Sequence, residues 1–538
     1  MRQQKPKWRK FAQPAVLVPI LGLALALSVR FHDAGGAASS SAPGVSDPYD
    51  RLPMEVSVAM LDRGQVPVDE GSYEHNRWTE WIERQSRVKL TVVPVPRNEA
   101  GRRLNTLIAA GEAPDLIWEY DRNYIGSLVA QDALQPLDDY IDKYSTVLKA
   151  YIRDNPDLLP YMTFNGKIYG LTTRRTPDLM ANGGLWIRQD WLDRVGMKAP
   201  TTEEEFFGVL KSFQESGLAG RADAPVVSLH AHYNNVFQSL YSTHRTQWYM
   251  ENGTMTNARF VDRVADELMF ERKLYANGYI DIGYLTDINM QRSMADWSAG
   301  RTGVLIGNYG PAVALHMKEL LENVPEAKPV PLEPFATKYG KAGMYQETPA
   351  LMYVAFNKKM NNPKVAIRYL DWMMEEGWSP LLNGFENEHY KLVNGIPQML
   401  DDSRFEREVA YAGEYAIVRN YAAAYRPESG MAAAAQDPVS QRWAKLMEQS
   451  LEVALRNPFR RDIPFSPSMP EIQDVLGAVG PQLAEIRTRA VIAGDITPGT
   501  ALDQMRREWR QAGGERVDQL VQMWYEYNKG SWDFAVNK

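Results

Sequence analysis

His230, His232 and His244 are the residues whose type and spacing most directly invite metal chemistry, since two imidazoles two positions apart lie on the same face of a strand. A metal needs three or four converging ligands. The chain supplies only 7 histidines and no cysteine, so surface or ligand-contacting imidazoles are the simpler reading. Asp121-x-Asn123-x-Ile125-Gly126 with Asp132 echoes a calcium loop. However, Ile125 stands where an oxygen ligand is needed, and the last position is Asp rather than Glu. There is no His-Glu-x-x-His, no Gly-rich loop closing on Gly-Lys-Ser/Thr and no Gly-x-Ser-x-Gly. Carboxylates abound, yet no local spacing singles out a glycosidase pair. The expectation is no catalytic residue, no metal and no cofactor.

Binding chemistry is better supplied. The chain has 14 Trp, 27 Tyr and 16 Phe in 538 residues. Flat apolar faces beside hydrogen-bonding side chains suit a sugar, which offers C–H faces and hydroxyls; the alternative use of the same aromatics is core packing. Lys and Arg number 60 against 67 Asp and Glu, a net charge of −7, which argues against a general nucleic-acid partner. With 44% hydrophobic and 24% charged residues the bulk of the chain is globular. Its length allows two or three domains. The absence of cysteine removes disulfides, thiolate sites and a lipid-bearing cysteine.

The elements that must position these groups read as follows. Strands are expected at 55–61, 88–95 and 113–118, with helices at 73–87 and 98–110 between them. This β-α-β-α-β order implies a parallel, doubly wound sheet whose ligands gather at the carboxyl ends of the strands. Asn165-Gly166 marks a hairpin turn. A strand at 185–190 precedes a helix capped by Thr201. Short strands at 226–230, 302–306 and 351–356 follow, the last leading into a helix at 363–376. From Ser403 the chain reads as helical, including 471–489 and 501–528.

Residues 1–33 combine five basic residues within the first 13 and an uncharged apolar run from Ala15 to Val29; Arg30 follows the run, and a stretch of small residues begins just beyond residue 33. This is an export signal or an uncleaved membrane anchor, with 34–50 a Gly/Ala/Ser/Pro-rich tether. The remainder is expected outside the cytoplasmic membrane, either secreted or held at the cell surface.

Seven stretches, in this order and spacing, resemble the extracellular solute-binding proteins (family 1) of bacterial ABC importers: AGEAPDLIW (110–118), LQPLDDYIDKY (134–144), NGKIYGL (165–171), LWIRQDWLDRVGMKAPTTEEEF (185–206), WSAGRTGVLIGN (297–308), AIRYLDWMMEEG (366–377) and HYKLVNGIP (389–397). They are most similar to the large lipoprotein-like subgroup linked to saccharide uptake in Gram-positive bacteria. The resemblance implies an α/β, two-lobe, type II periplasmic-binding-protein-like fold. Its parallel-rich sheets are flanked by helices, with a hinge of crossing segments and a helical C-terminal extension. By likeness, lobe one holds 51–176 with 353–388, lobe two holds 184–345 with 396–538, and the crossings are 177–183, 346–352 and 389–395. The implied function is capture of a carbohydrate, expected to be an oligosaccharide, between the lobes for delivery to an ABC permease. The chain is expected to be a monomer. The alternatives are a ligand-presenting sensor and a surface glycoside-active enzyme. Some relatives carry an acidic calcium loop where this chain reads QESGLAGRADAP (214–225), which is poor in carboxylates.

Strand ends and crossings then select the candidate ligand contacts. Trp118, Tyr120, Trp186, Tyr233, Trp297 and Tyr309 are expected as plates. Glu119, Asp121, Arg188, Asn308, Glu386 and His389 are expected to serve hydroxyls. Arg174 and Arg175, beside the first crossing, could fork onto a uronate. Trp191, Trp372 and Trp443 are assigned to core.

Overall fold

A capping box starts the first long helix. Asn76 Oδ1 accepts from the amides of Trp78 (2.8 Å) and Thr79 (3.2 Å), and Thr79 Oγ1 accepts from the Asn76 amide (3.1 Å). The helix therefore begins at Arg77, not at the expected residue 73. The computed structural model describes residues 47–181, 183–221, 223–229, 235–287, 290–309, 313–393, 396–421 and 437–532. The export segment 1–33 lies outside the described residues. The chain divides into a short unit, Met1–Asp50, and a large one, Arg51–Lys538, which carries everything below.

In chain order the principal elements are β1 (Glu55–Asp62), α1 (Arg77–Ser86), β2 (Lys89–Pro96), α2 (Ala100–Ala110), β3 (Leu116–Glu119), α3 (Arg122–Ala130), β4 (Leu134–Gln135), β5 (Leu171–Arg174), β6 (Gly183–Arg188), β7 (Val227–Leu229), α4 (Val264–Ala276), β8 (Val304–Asn308), β9 (Pro329–Leu332), β10 (Ala350–Asn357), α5 (Pro438–Arg456), α6 (Pro470–Thr488), α7 (Pro498–Gln511) and α8 (Gly514–Asn528).

Two sheets make two lobes. The first has the order β2-β1-β3-β10-β4, with β5 also paired to β10. β1 runs parallel to β2 and β3, as the alternation of strands and helices requires. β10 is antiparallel to β3, β4 and β5. It re-enters the sheet from the other lobe, at the carboxyl ends of its neighbours, and so must run against them. The second sheet has the order β9-β6-β8-β7. β6 is antiparallel to β8 and β9 for the same reason, while β7 and β8 are parallel. Each sheet has its own apolar core, around Val58, Ile117 and Val354 in one and around Leu185, Phe206 and Ile306 in the other. Residues 165 and 166 form the expected turn, both with positive φ (48° and 78°), between strands that pair Phe164 with Lys167.

Several boundaries differ from the sequence reading. Thr202, not Thr201, caps its helix by accepting from the Glu205 amide, while the Thr201 hydroxyl and amide both bind the Glu205 carboxylate. The strand expected to reach Asp190 ends at Arg188, because Gln189 opens a helix. The single helix expected over 501–528 is two, α7 and α8, broken at Gly513 with φ of 93°.

The chain passes between the sheets from Arg174 to Gly183 and again from Leu332 to Ala350. The two passages run side by side, with the Glu347 amide donating to Met180 O (2.8 Å) and the Arg175 amide to Pro349 O (2.7 Å). The third crossing is not at 389–395. Residues 390–393 and 396–399 pair as a hairpin, and the chain after it stays with the first sheet. Val409, Tyr411, Tyr415, Ile417 and Val418 lie in the first core, although 396–538 was expected to belong wholly to lobe two. Their burial beside α1, with the Trp78 indole donating to Glu408 O (2.6 Å), is what holds them there. The next described residues after Tyr421 lead into α5, whose Trp443, Met447 and Val453 pack on Trp186, Trp297 and Tyr309 in the second lobe. Helices α6 to α8 pack on α4 and the 248–257 hairpin. Among the described residues no helix is long and apolar enough to cross a membrane.

Candidate functional site

The carboxyl ends of β1, β3 and β5 point toward the two passages, and this edge of the first sheet gathers polar side chains. Arg63 follows β1 and its guanidinium pairs with Glu414 (2.6 Å). Glu119 ends β3 and accepts from the Tyr120 amide (2.7 Å) and from Arg97 (3.5 Å). The Tyr120 ring is half-buried, edge-on to Trp118 (5.5 Å between centroids) and covered by the Arg97 guanidinium (5.2 Å). Burial raises the Tyr120 phenol, Glu414 adds to the rise, and Arg419, Arg63 and Arg97 oppose it. Glu414 Oε2 and the Tyr73 hydroxyl, both buried, have no hydrogen-bond partner among the described residues. A ligand hydroxyl is the kind of group that satisfies such atoms.

Arg419 is half-buried and held by three acceptors: Ala416 O (2.8 Å), Gly413 O (2.8 Å) and the Tyr421 hydroxyl (2.6 Å). Among the described residues none of its acceptors is a carboxylate, so its charge is oriented without an ion pair there. Arg461 is alike. It donates to Gln346 O (2.6 Å) on the second passage and lies over the rings of Tyr345 (5.9 Å) and Phe459 (5.4 Å), again with no carboxylate partner among the described residues. The segment after α5 thus runs along the second passage and then onto the first lobe. Tyr161 donates to Pro464 O (3.3 Å), Ser468 donates to Asn123 O (2.9 Å), and Arg122 stacks on Phe465 (3.6 Å).

The expected contacts divide into three groups. Trp118, Glu119, Tyr120 and Asp121 do share one strand end, but only Tyr120 offers a partly open ring. Trp118 is 1% exposed and its indole donates to Ala59 O (2.7 Å), so it is a core residue. Asp121 caps α3 through the Asn123 amide (2.8 Å), which accounts for the calcium-like spacing without a metal. In the second lobe, Trp186, Trp297 and Tyr309 are buried together in one cluster, and the Tyr309 hydroxyl donates to Leu332 O (2.7 Å). Tyr309 lies so close on Gly184 that a Cβ there would meet its ring at 2.3 Å. These are packing residues and present no face to a ligand. Tyr233, His230 and His232 lie outside the described residues. Asn308 ends β8 opposite Gly183, at the crossing edge of the second sheet.

The remaining expectations fall away from the cleft. Arg188 ends β6 at the edge opposite the crossing and is locked in a buried fork onto Asp190 (2.6 Å). Glu386 is exposed in the turn before the 390–399 hairpin. His389 is buried with Glu408. Both were placed by the mistaken third crossing. Arg174 pairs with Asp157, and Arg175 is spent on Thr348 O (2.7 Å) and Ala350 O (2.6 Å), bracing the hinge. Arg63, Arg97, Glu414, Arg419 and Arg461 were not anticipated. Glu414 and Arg419 sit in a stretch assigned to the other lobe, and no local pattern marks an arginine that lacks a carboxylate partner in space.

Glu388, His389 and Glu408 are the one group of metal-type donors lying within 4.8 Å of one another among the described residues. They do not fit a metal. Glu408 accepts from Arg77 (2.8 Å), Arg404 (3.0 Å) and Arg407 (2.6 Å), which hold its carboxyl down to about 2. His389 Nδ1 accepts from the Phe385 amide (3.0 Å), and its Nε2 faces Glu408 (3.3 Å).

A family model described as bacterial extracellular solute-binding protein matches residues 71–379. The polygalacturonan/rhamnogalacturonan-binding protein YtcQ of Bacillus subtilis is 24% identical over 95% of this chain and 97% of its own. The lipoprotein LipO of the same organism is 24% identical over 83% of this chain and 88% of its own. Among solved structures, an alginate-binding protein, AlgQ2, superposes with a TM-score of 0.64 at 18% identity, covering 89% of this chain and 99% of that one. An HMO-binding, ABC-transporter-associated solute-binding protein of Bifidobacterium longum infantis gives 0.67 at 15% identity, covering 89% of this chain and 99% of that one. These likenesses show the type II binding-protein fold.

Proposed function

The chain belongs to the bacterial extracellular solute-binding proteins, and from that premise we propose that it captures an acidic, uronate-bearing oligosaccharide between its two lobes and hands it to an ABC permease. It is a binding protein and not an enzyme, and it acts outside the cytoplasm, as its family does. For this purpose we take lobe one as 51–174 with 350–421, lobe two as 183–332 with 438–532, and the passages between them as the hinge.

The observation that carries the reading is the pair of guanidiniums, Arg419 fixed by two backbone carbonyls and Arg461 by one, neither with a carboxylate partner among the described residues. An arginine so placed has its fork pre-oriented for a carboxylate. Tyr120 supplies a ring for a sugar C–H face, and Glu414 supplies a carboxylate oxygen with no hydrogen-bond partner among the described residues. The names borne by YtcQ and AlgQ2, binders of polygalacturonan/rhamnogalacturonan and of alginate, support an acidic polymer fragment as ligand. Closure on the ligand would follow from its greater affinity for the closed arrangement.

Calorimetric titration with short oligogalacturonates and with neutral maltooligosaccharides tests this. Tight binding of the first and none of the second is expected. Preference for the neutral sugar would overturn the acidic assignment, and binding of neither would overturn the saccharide reading.

A further inference from the structure

Within the second lobe lies a cavity of about 370 Å³. Its walls come from the segment after β7, from Arg259, from α4, from α6 and its continuation, and from α7; none comes from the first lobe or from a crossing. One end is cationic. Arg245 makes no ion pair or side-chain hydrogen bond among the described residues, and Arg259 donates only to the Arg245 carbonyl and to Asn257 Oδ1. Arg487, at the same cavity, is matched by Glu267 (2.5 Å) and Glu271 (3.2 Å). Burial and the neighbouring guanidiniums of Arg245 and Arg487 push Arg259 down to about 10; the carboxylates at this end, Glu267 and Glu271, pair with Arg487, and neither bonds Arg245 or Arg259. Apolar side chains also line it: Leu476, Leu483 and Val491 on α6 and its continuation, and Met505 on α7.

We propose that this cavity is a second binding site, taking a small organic carboxylate with an apolar body: the carboxylate lies between Arg245 and Arg259 and the body against the leucine wall. A guanidinium fork matches a carboxylate in shape and charge. The volume is at the lower end of the ~300–1,000 Å³ range of small-molecule pockets. Since every wall belongs to one lobe, the site fills whether the lobes are open or closed, independently of the saccharide.

The test is calorimetric titration of the protein with sodium hexanoate, sodium acetate and inorganic phosphate at low ionic strength. Hexanoate is expected to bind one to one and about tenfold or more tightly than acetate or phosphate. Arg245→Gln and Arg259→Gln should each weaken it about tenfold, as loss of a charge-assisted pair does. Ala484→Trp, from an exposed wall position on α6, should abolish it by filling the space. Arg245 is exposed, so its variant keeps the test sound even if Arg259→Gln destabilises the fold. Arg419→Gln should leave hexanoate binding unchanged. Equal affinity for hexanoate and acetate, indifference to Arg245→Gln, or loss on Arg419→Gln would each overturn the proposal.

Discussion

The imidazole of His244 lies flat on the ring of Tyr345, with centroids 4.3 Å apart and planes 6° from parallel. The stack joins the second lobe to the second passage, and Phe459 closes it edge-on to both rings. His244 is 3% exposed, and burial, with Arg245, Arg461 and Arg259 adding to it, pushes its pKa down to about 3. The hinge therefore holds a neutral histidine.

A pH dependence of stability follows. An unfolded histidine titrates near 6.5, so between about 6.5 and 3 the unfolded chain binds a proton that the folded one does not. His244 thus costs stability as pH falls through this window, by up to about 1.4 kcal/mol per pH unit. Above 6.5 it costs nothing. His244→Phe keeps the stack and removes the titration. Melting curves from pH 7 to 4 should show the wild type losing ground to this variant steadily below about 6.5; parallel curves would mean that His244 is protonated in place.

The Glu408 network predicts a slope of the same sign, stability falling as pH falls, in a lower pH window and from a different cause. Three guanidiniums hold the Glu408 carboxyl at about 2, so its contribution is complete above about 4.5 and is lost as pH falls through 2. Glu408→Gln should cost about 2–3 kcal/mol at pH 7, the scale of a charged hydrogen bond removed from a buried site. Because the same groups leave no lone pair for a cation, EDTA should not move the melting temperature. A drop of several degrees on chelation would expose a metal in the Glu388–His389–Glu408 cluster or elsewhere.

The aromatic core gives a third expectation. Trp118→Ala, Trp186→Ala and Tyr309→Ala remove side chains that are no more than 1% exposed and, for Trp118 and Tyr309, hydrogen-bonded to backbone. Each should cost about 3–5 kcal/mol of stability. Any loss of saccharide binding should track unfolding. A variant that stays fully stable yet binds poorly would return that ring to the cleft.

The contrast between these rings and Tyr120 shows what the sequence made legible. Alternation and helical spacing located β1, β2, β3 and the helices between them, because their periods differ along the chain itself. The direction of β10 was not legible. It follows from the chain returning through the hinge, which is a property of the whole path. Strand-end position correctly brought Trp118 and Tyr120 to one edge of the sheet. It could not say that the Trp118 indole turns inward to Ala59 while Tyr120 stays half-open, since neighbours far apart in sequence decide that. His389 and Glu386 were misplaced because the hairpin at 390–399 sits where a crossing was expected. Arg419 and Arg461 escaped notice because a guanidinium becomes informative only when its surroundings are seen to lack a carboxylate.

Those two arginines supply the last prediction. Arg419 belongs to the first lobe and Arg461 to the segment along the second passage, so a uronate bound between them would draw on both sides of the hinge. The two guanidiniums are held by backbone carbonyls, to which a glutamine amide can partly replace the bonds, so Arg419→Gln and Arg461→Gln should melt within a few degrees of the wild type. A bidentate charged contact replaced by a neutral amide loses roughly 1.5–3 kcal/mol, or about tenfold to a hundredfold in affinity. Oligogalacturonate binding should weaken by that factor in each variant, and the wild type's affinity should fall as salt is raised while the variants' falls less. Binding through hydroxyls and rings alone would show neither effect. If both variants bind oligogalacturonate as the wild type does, with the same salt dependence, the guanidiniums serve the fold and not the ligand.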